Sequence, residues 1–262
     1  MQQKDSGLRE DSATTRARVQ RDMDKFLGHS ALDLRQKVAV ACRILAHAEH
    51  TQGLAGQVTA RADEETFWTT NFTLGFREIR ASNLLRIDRQ MRVVEGDGMP
   101  NPAVRFHLWI YDRRTDVRSV VHTHPPHASA LAMIGEPLRI AHMDAMMLHD
   151  DCAYLSEWPG VPIANVEGEI ISTALGEKSA ILLAHHGLLT AHESIEGAVY
   201  LATALEHAAR LQLLASASGE ILVPPAHLAA EAHEFLNRRS IVNATYNYWA
   251  RQAIAADEAV LD

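Results

Sequence analysis

The sequence predicts an α/β protein of three layers, in which helices cover both faces of a central sheet. Three observations support this prediction. Segments whose apolar residues recur at helical spacing alternate with short, β-branched apolar runs. Glycine and proline residues separate many of these segments, as expected at turns. Two histidine clusters each follow an apolar run, which indicates polar chemistry at the ends of buried strands.

The first thirty residues are polar and charged, and we expect an arm or a short helix that precedes a single domain over residues 31–262. Apolar side chains between residues 32 and 50 fall three or four positions apart, which predicts a helix. Gly53 and Gly56 then mark a turn into a short strand at 58–61. The next apolar runs predict strands at 65–69 and 84–87.

Pro100 and Pro102 flank a loop before a predicted helix at 104–111. A β-branched run then predicts a strand at 117–122, and a helix at 128–134 opens with a turn rich in proline and serine. In the remaining chain the same patterns predict strands at 141–148, 161–163 and 180–184, and helices at 167–175, 195–217 and 226–255.

His122-Thr-His124 follows Val120-Val121, and His185-His186-Gly187 follows another apolar run. Because strand side chains alternate between faces, His122 and His124 are predicted to point the same way. Two such imidazoles, completed by a third from a neighbouring strand end, would form a divalent metal site with open coordination positions. The alternative for any single histidine is a buried, hydrogen-bonded core position.

At these motifs the chain resembles the class II aldolase/adducin superfamily, and especially its metal-dependent decarboxylase branch. The matching segments include RFHLWIYDRRTDVRSVVHTHPPHASALA and AILLAHHGLLTAH. The resemblance implies a class II aldolase-like fold with a mostly antiparallel central sheet, assembled as a homotetramer or a larger ring. It implies one divalent metal per subunit, manganese or zinc with iron as the alternative, bound by His122, His124 and His186. His185 takes the position of the asparagine in the family's N-H-G motif and is not expected to be a ligand.

The chain departs from the aldolases of this superfamily in a segment that reads P-S-S-E there. Here Asn101, Pro102 and Ala103 follow Pro100. Alanine cannot transfer a proton, so aldol cleavage by that route loses its acid. The loss of both serine hydroxyls also argues against a phosphorylated substrate.

Decarboxylation tolerates this loss, because no proton has to be abstracted before carbon dioxide leaves. The resemblance therefore predicts a metal-dependent decarboxylase of a hydroxylated aromatic or heteroaromatic carboxylate, such as 3-hydroxy-2-methylpyridine-4,5-dicarboxylate. Two enzymatic alternatives stay open: a class II aldolase acting on a small unphosphorylated hydroxy-acid, and a three-histidine non-haem iron oxygenase. A non-catalytic scaffold, as in adducins, is disfavoured by the intact histidines.

Further site residues are predicted in three roles. His142 and Asp144, expected on one strand face, are candidate proton donors. The substrate-binding candidates lie near the family's loops, and their alternative is an ordinary turn or surface position; they are Gln57, Thr59, Arg61 and Arg105. Tyr248 belongs to an aromatic cluster near the chain end, which is expected to close the active site across a subunit interface.

Composition narrows the class of partner. The net charge is −8 and the chain has no run of lysine or arginine, which argues against nucleic acid and against an anionic membrane surface. Two cysteines cannot form a disulfide framework, so reduced thiols in a cytoplasm are expected. No apolar stretch has the length of a transmembrane helix. We therefore expect a cytoplasmic enzyme with a small-molecule substrate.

Overall fold

The structure is a computed structural model that describes residues 11–27, 31–161 and 165–262. Within these ranges the α-helices are α1 (Ser12–Phe26), α2 (Leu34–His47), α3 (Val104–Arg113), α4 (Pro126–Met133), α5 (Asn165–Leu175), α6 (Ile195–Ser216), α7 (Ala226–Leu236) and α8 (Arg239–Ala256). The strands are β1 (Gln57–Arg61), β2 (Thr66–Thr69), β3 (Leu85–Asp88), β4 (Val93–Glu95), β5 (Ser119–Thr123), β6 (Cys152–Leu155), β7 (Ala180–Leu183) and β8 (Gly187–His192).

The strands form one sheet in the order β4-β3-β2-β1-β5-β8-β7-β6. Every neighbouring pair is antiparallel except β6 with β7. The predicted mostly antiparallel sheet is therefore confirmed. The strands β5 and β8, between whose ends the histidine motifs lie, are neighbours near its centre.

Two apolar cores lie on opposite faces of the sheet. One packs Val58 and Val121 against α2, α4, α6 and α8. The other packs Val120 and Leu189 against α3 and α5. Because Val120 and Val121 are neighbours on β5, their assignment to different cores follows from the alternation of side chains along a strand. The three-layer α/β/α prediction is confirmed.

Side-chain caps determine where two of the helices begin. Asp33 accepts a hydrogen bond from the Gln36 backbone at 2.9 Å, and the Gln36 side chain bonds back to the Asp33 backbone, so α2 begins with a capping box. Ser194 similarly accepts from the Gly197 amide at 3.1 Å and starts α6 directly after β8.

The strand predicted at 141–148 is wrong. Met143–Leu148 is a 3-10 helix, and the His142 side chain caps it by accepting a hydrogen bond from the Asp144 amide at 3.2 Å. This local side-chain-to-backbone bond competes with sheet pairing and is not visible in apolar periodicity. His142 and Asp144 therefore do not share a strand face.

Other boundaries also differ from the prediction. The helix predicted over 226–255 is divided into α7 and α8, and between them the Asn237 side chain donates to the Met147 carbonyl at 2.9 Å. The strands β4, β6 and β8 were not predicted, whereas most of the strand expected at 161–163 lies outside the described residues. Within the predicted arm, α1 is a helix without a buried residue.

None of the helices in the described ranges is long and apolar enough to cross a membrane.

Candidate metal centre

Three histidine rings meet where β5 ends and β8 begins. His122 lies on β5, His124 follows the end of that strand, and His186 lies in the turn between β7 and β8. The antiparallel register pairs His122 with Leu189 and Thr123 with Leu188, so the end of β5 reaches the turn that carries His186. The ring centroids are 4.6 to 4.8 Å apart, and one nitrogen from each ring lies within 4.8 Å of the others.

Hydrogen bonding fixes which His122 nitrogen is available to a ligand. Its Nδ1 lies 2.8 Å from the Leu188 carbonyl oxygen, which can only accept, so Nδ1 carries the proton and donates it. The Nε2 lone pair is then free, and this atom lies 3.0 Å from Nε2 of His124. A backbone partner that fixes the tautomer is typical of metal-binding histidines. The three rings therefore fit a divalent ion with three nitrogen ligands.

Burial keeps these imidazoles neutral. It lowers the pKa of His122 well below its ordinary value, and the neighbouring His186 and His124 lower it further. The pKa of His186 falls to about 4, through burial first and the proximity of His124 second, and burial also lowers the pKa of His124. Neutral imidazoles are the protonation state that binds metal.

Gly187 allows the close packing of the turn against His124. A Cβ atom at this position would lie 2.8 Å from Cδ2 of His124 and closer still to the Thr123 carbonyl oxygen. His185, two residues earlier, has a φ of 57° and is exposed. Asparagine and histidine are among the residues that adopt this left-handed conformation more readily than most. The turn thus explains both the need for glycine and the outward position of His185.

Two further buried histidines support this end of the sheet through threonine hydroxyls. His50 Nδ1 lies 2.9 Å from Oγ1 of Thr123, on the sheet face opposite His122. His107 Nδ1 lies 2.9 Å from Oγ1 of Thr59. Burial lowers the pKa of both histidines to about 3. Sequence reasoning missed His50, whose position just after α2 carries no motif.

A buried carboxylate, that of Glu206, connects α6 to α4, the helix that follows His124. Glu206 accepts hydrogen bonds from the amides of His127 and Ala128 at 3.0 and 2.7 Å, and its Oε1 lies 2.6 Å from Nδ1 of His127. It thereby satisfies free amides at the start of α4. Sequence reasoning missed Glu206, because its distance along the chain from His127 gives no periodic signal. It is a positioning group for the loop after His124.

The predicted substrate residues on β1 separate into two environments. Gln57 pairs directly with His122 in the β1–β5 register, so its side chain projects beside the His122 ring. Thr59 contacts His107 and the Tyr111 hydroxyl, and Arg61 donates to the Tyr111 carbonyl at 2.9 Å. Both Thr59 and Arg61 are buried and hydrogen-bonded inside the protein, and their substrate contact stays a prediction.

Arg105 and Tyr248 lie on the surface of the subunit. Arg105 lines a cleft with Arg89, Trp109 and Asn165, and none of the three histidines lines it. Tyr248 is 51% exposed on α8, and its hydroxyl accepts a hydrogen bond from Gln252 at 3.0 Å. Within one subunit neither residue is hydrogen-bonded to the histidine cluster.

His142 and Asp144 form a separate exposed group. Asp144 Oδ2 lies 3.7 Å from His142 Nδ1 and 3.7 Å from Nε2 of His207. Among the described residues, no aspartate or glutamate lies within ion-pair distance of His122, His124 or His186. Within one subunit, neither predicted proton donor therefore lies in direct contact with these three histidines.

Comparison with known proteins agrees with this geometry. Residues 36–213 match the family described as class II aldolase and adducin N-terminal domain. Decarboxylase NovR of Streptomyces niveus is 32% identical over 211 residues, which cover 79% of this chain and 78% of that protein. The 4-hydroxy-3-prenylphenylpyruvate oxygenase/4-hydroxy-3-prenylbenzoate synthase of Streptomyces roseochromogenus subsp. oscitans is 31% identical, with coverage of 79% and 76%.

A solved structure reproduces the fold. The L-fuculose 1-phosphate aldolase from Glaciozyma antarctica PI12 superposes with a TM-score of 0.80 at 26% sequence identity, covering 87% of this chain and 92% of that one. The relatives thus include a decarboxylase, an oxygenase and a sugar-phosphate aldolase on one architecture.

Proposed function

The chain belongs to the class II aldolase and adducin family, and from that premise we propose that it is a metal-dependent decarboxylase of a hydroxylated aromatic or heteroaromatic carboxylate. A 3-hydroxy-2-methylpyridine-4,5-dicarboxylate is an example of such a substrate. One observation carries the proposal: three histidines converge at the sheet end. The resemblance to the aldolases adds that Ala103 takes the position of their acid.

His122, His124 and His186 would hold one divalent ion per subunit, manganese or zinc, with iron as the alternative. When bound, such an ion polarises an oxygen of the substrate and stabilises negative charge that develops beside it. Class II aldolases depend on a divalent metal, which supports this assignment. The neutral state of the three imidazoles leaves the charge of the ion available to an anionic substrate.

The reaction exchanges a carbon–carboxylate bond for a carbon–hydrogen bond. Carbon dioxide leaves, the electron pair of the broken bond stays on the ring carbon, and that carbon takes one proton. No acid among the described residues of the subunit lies within ion-pair distance of the three histidines. We therefore assign the proton to a solvent water within one subunit, and His142 and Asp144 stay the predicted donors from a neighbouring subunit.

The second candidate is a non-haem iron oxygenase. It is favoured by the likeness to the prenylphenylpyruvate oxygenase and by a ligand set of three histidines without a carboxylate. Aldol cleavage of a small unphosphorylated hydroxy-acid is supported less well. Asp144, the substitute acid in that hypothesis, is exposed and is paired with His142 and His207.

The test is carbon dioxide release from a panel of hydroxy-aromatic and hydroxy-pyridine carboxylates, with protein loaded with manganese, zinc or iron. We expect equal rates with and without dioxygen, and no turnover by His186→Ala. Turnover that requires dioxygen would instead establish the oxygenase. Cleavage of a sugar phosphate at an ordinary enzymatic rate would contradict the proposal.

A further inference from the structure

Gln57 is a buried amide whose side-chain oxygen has no hydrogen-bond partner in the described part of the chain. Its side chain is at the first residue of β1 and the residue is only 3% exposed. The side-chain oxygen is shielded from solvent and accepts no hydrogen bond. Buried amides almost always find partners, because each oxygen can accept two hydrogen bonds. An unsatisfied amide beside a metal-ligand cluster therefore points to a missing ligand.

The register of β1 and β5 places this amide beside His122. Gln57 and His122 are directly opposite one another in an antiparallel pair, and such partners project from the same face of the sheet. The preceding residue, Gly56, has a φ of 100°, and a Cβ atom there would lie 3.2 Å from the His122 carbonyl oxygen. This close approach fixes the start of β1 against the metal strand.

The contacts between α3 and β1 lead us to expect Ala103 near the same amide, because Arg61, further along β1, bonds to Tyr111, further along α3. Thr59 contacts His107 at 2.9 Å, so these two residues lie at one level. Two residues back along β1 is about 6.6 Å, and four residues back along α3 is about 6 Å. These steps lead from Thr59 to Gln57 and from His107 to Ala103. The ring of Phe106, next to His107, also contacts the ring of His122 at a centroid distance of 5.0 Å.

We propose that the side-chain oxygen of Gln57 is the fourth protein group at the metal. It would use the space that an acid at position 103 fills in the aldolases that the chain resembles. Ala103 itself packs against the apolar core and offers no polar atom. This inference rests on the three-histidine site of the proposed function, and it extends that site to a residue on another strand.

The exchange of an acid for an amide has a consequence for substrate class. Carbonyl oxygens of glutamine are ligands for divalent ions, but unlike a carboxylate they do not neutralise charge. Three neutral imidazoles and one neutral amide leave the full charge of the ion at the open positions. We therefore assign to this site a substrate that brings at least two negative charges close to the metal, such as an ortho-hydroxy carboxylate in its dianionic form or a vicinal dicarboxylate.

The experiment measures the affinity of the full-length protein for Zn²⁺ alone, by competition with a chromogenic chelator. Gln57→Ala should weaken binding about tenfold or more, since removal of groups around a metal costs factors of this size. Gln57→Glu should bind Zn²⁺ at least as tightly as the unmodified protein. Gln212→Ala is the matched control, because it also removes a buried glutamine, but one bonded to the Pro137 and Arg139 backbones.

A second variant keeps the test informative. In the double variant Gln57→Ala/Ala103→Glu, the new carboxylate should restore the lost Zn²⁺ affinity, because both positions face one space. Unchanged affinity in Gln57→Ala, with a Zn²⁺ site that His186→Ala abolishes, would overturn the role of Gln57 alone. Retention of Zn²⁺ by His186→Ala would instead overturn the three-histidine site and the proposed function with it.

Discussion

At the scale of single residues, the two nitrogens of the His122 ring have different tasks. Nδ1 donates to the Leu188 carbonyl, and this bond holds the ring so that Nε2 faces His124. His186 has no comparable backbone partner for its ring among the described residues, and it lies in a turn. We therefore expect His186 to contribute only a ligand nitrogen to the site.

The first prediction concerns this ligand. His186→Ala should remove the stoichiometric metal, measured by elemental analysis, and the metal-free variant should unfold within a few degrees of the metal-free parent. Because the side chain is only partly buried, little packing is lost. His185→Ala removes the neighbouring, exposed histidine and should keep the metal. Equal metal content in the two variants would contradict the ligand assignment.

The second prediction concerns pH. Burial lowers the pKa of His50 and His107 to about 3, below the value of about 6.5 in an unfolded chain. The unfolded state therefore binds more protons between these values, and their contribution to stability is complete above pH 6.5 and is lost as pH falls toward 3. Each histidine should contribute a slope of about 1.4 kcal/mol per pH unit in that window.

Urea unfolding of the metal-free protein at several pH values measures this slope. His107→Gln should reduce the slope of unfolding free energy against pH by about the contribution of one histidine, because glutamine does not titrate. Glutamine can still reach the Thr59 hydroxyl. His47→Gln changes an exposed histidine on α2 and should leave the slope unchanged. Identical slopes for the two variants would show that burial of His107 does not govern the pH dependence.

At the scale of elements, the contact between β5 and the start of β8 sets the geometry of the site. Gly187→Ala should weaken metal binding and destabilise the fold by about 1–3 kcal/mol, because the added methyl group would collide with the Thr123 carbonyl and with His124. Gly219→Ala is the control, since a methyl group there meets nothing within 4 Å. Thermal unfolding and metal titration of both variants test the prediction. A Gly187→Ala protein indistinguishable from Gly219→Ala would contradict it.

Elements also show where sequence reasoning succeeded and where it stopped. The apolar run before His122 predicted its strand, because periodicity records which residues face a core. The alternation around His142 suggested a strand as well, yet a single side-chain bond to the Asp144 amide ends extended structure there. Likewise, the break between α7 and α8 involves Asn237, whose partner Met147 is far away in the chain. Long-range partners of this kind leave no local pattern.

The same limit applies to the candidate site. The three histidines were predicted from motif and family resemblance, whereas the internal roles of Thr59 and Arg61 depend on how α3 lies across β1. A residue on an alternating strand can face a cleft or a helix, and the sequence of the strand does not distinguish the two. Here the contacts with His107 and Tyr111 show that Thr59 faces α3.

At the scale of the whole molecule, the predicted contribution of α8 to a neighbouring active site rests on exposed residues of that helix. Tyr246 is fully buried and its hydroxyl donates to the Lys37 carbonyl at 2.8 Å, so removal of α8 would expose the core that α2 shares with it. A truncation after Ser240 would therefore disrupt folding and also remove the aromatic residues expected to close the active site, so the two effects could not be separated. A substitution on the exposed side is the better test.

Tyr248→Ala should lower kcat/KM for the proposed substrate by about tenfold, because the sequence predicts that the aromatic cluster with Tyr248 closes the active site across a subunit interface. Metal content should be unchanged, and stability should change by less than about 0.5 kcal/mol, because the side chain is 51% exposed. Leu228→Ala removes a side chain that is 50% exposed on α7 and serves as the control. Sedimentation should give a homotetramer or a larger ring for each protein. A monomeric, fully active Tyr248→Ala protein would contradict both the predicted active site at a subunit interface and its closure by Tyr248.

The pairing of β5 with β8 has a kinetic consequence. His122 and His186 are distant in the chain, and they meet only after the centre of the sheet has formed. Contacts between distant segments form late, because the loop between them must first be closed. During refolding, uptake of the ion should therefore lag behind helix formation and follow the pairing of these two strands. The metal would then bind only after the topology is complete, and the rate of metal uptake would report the rate of the slowest assembly step of the chain.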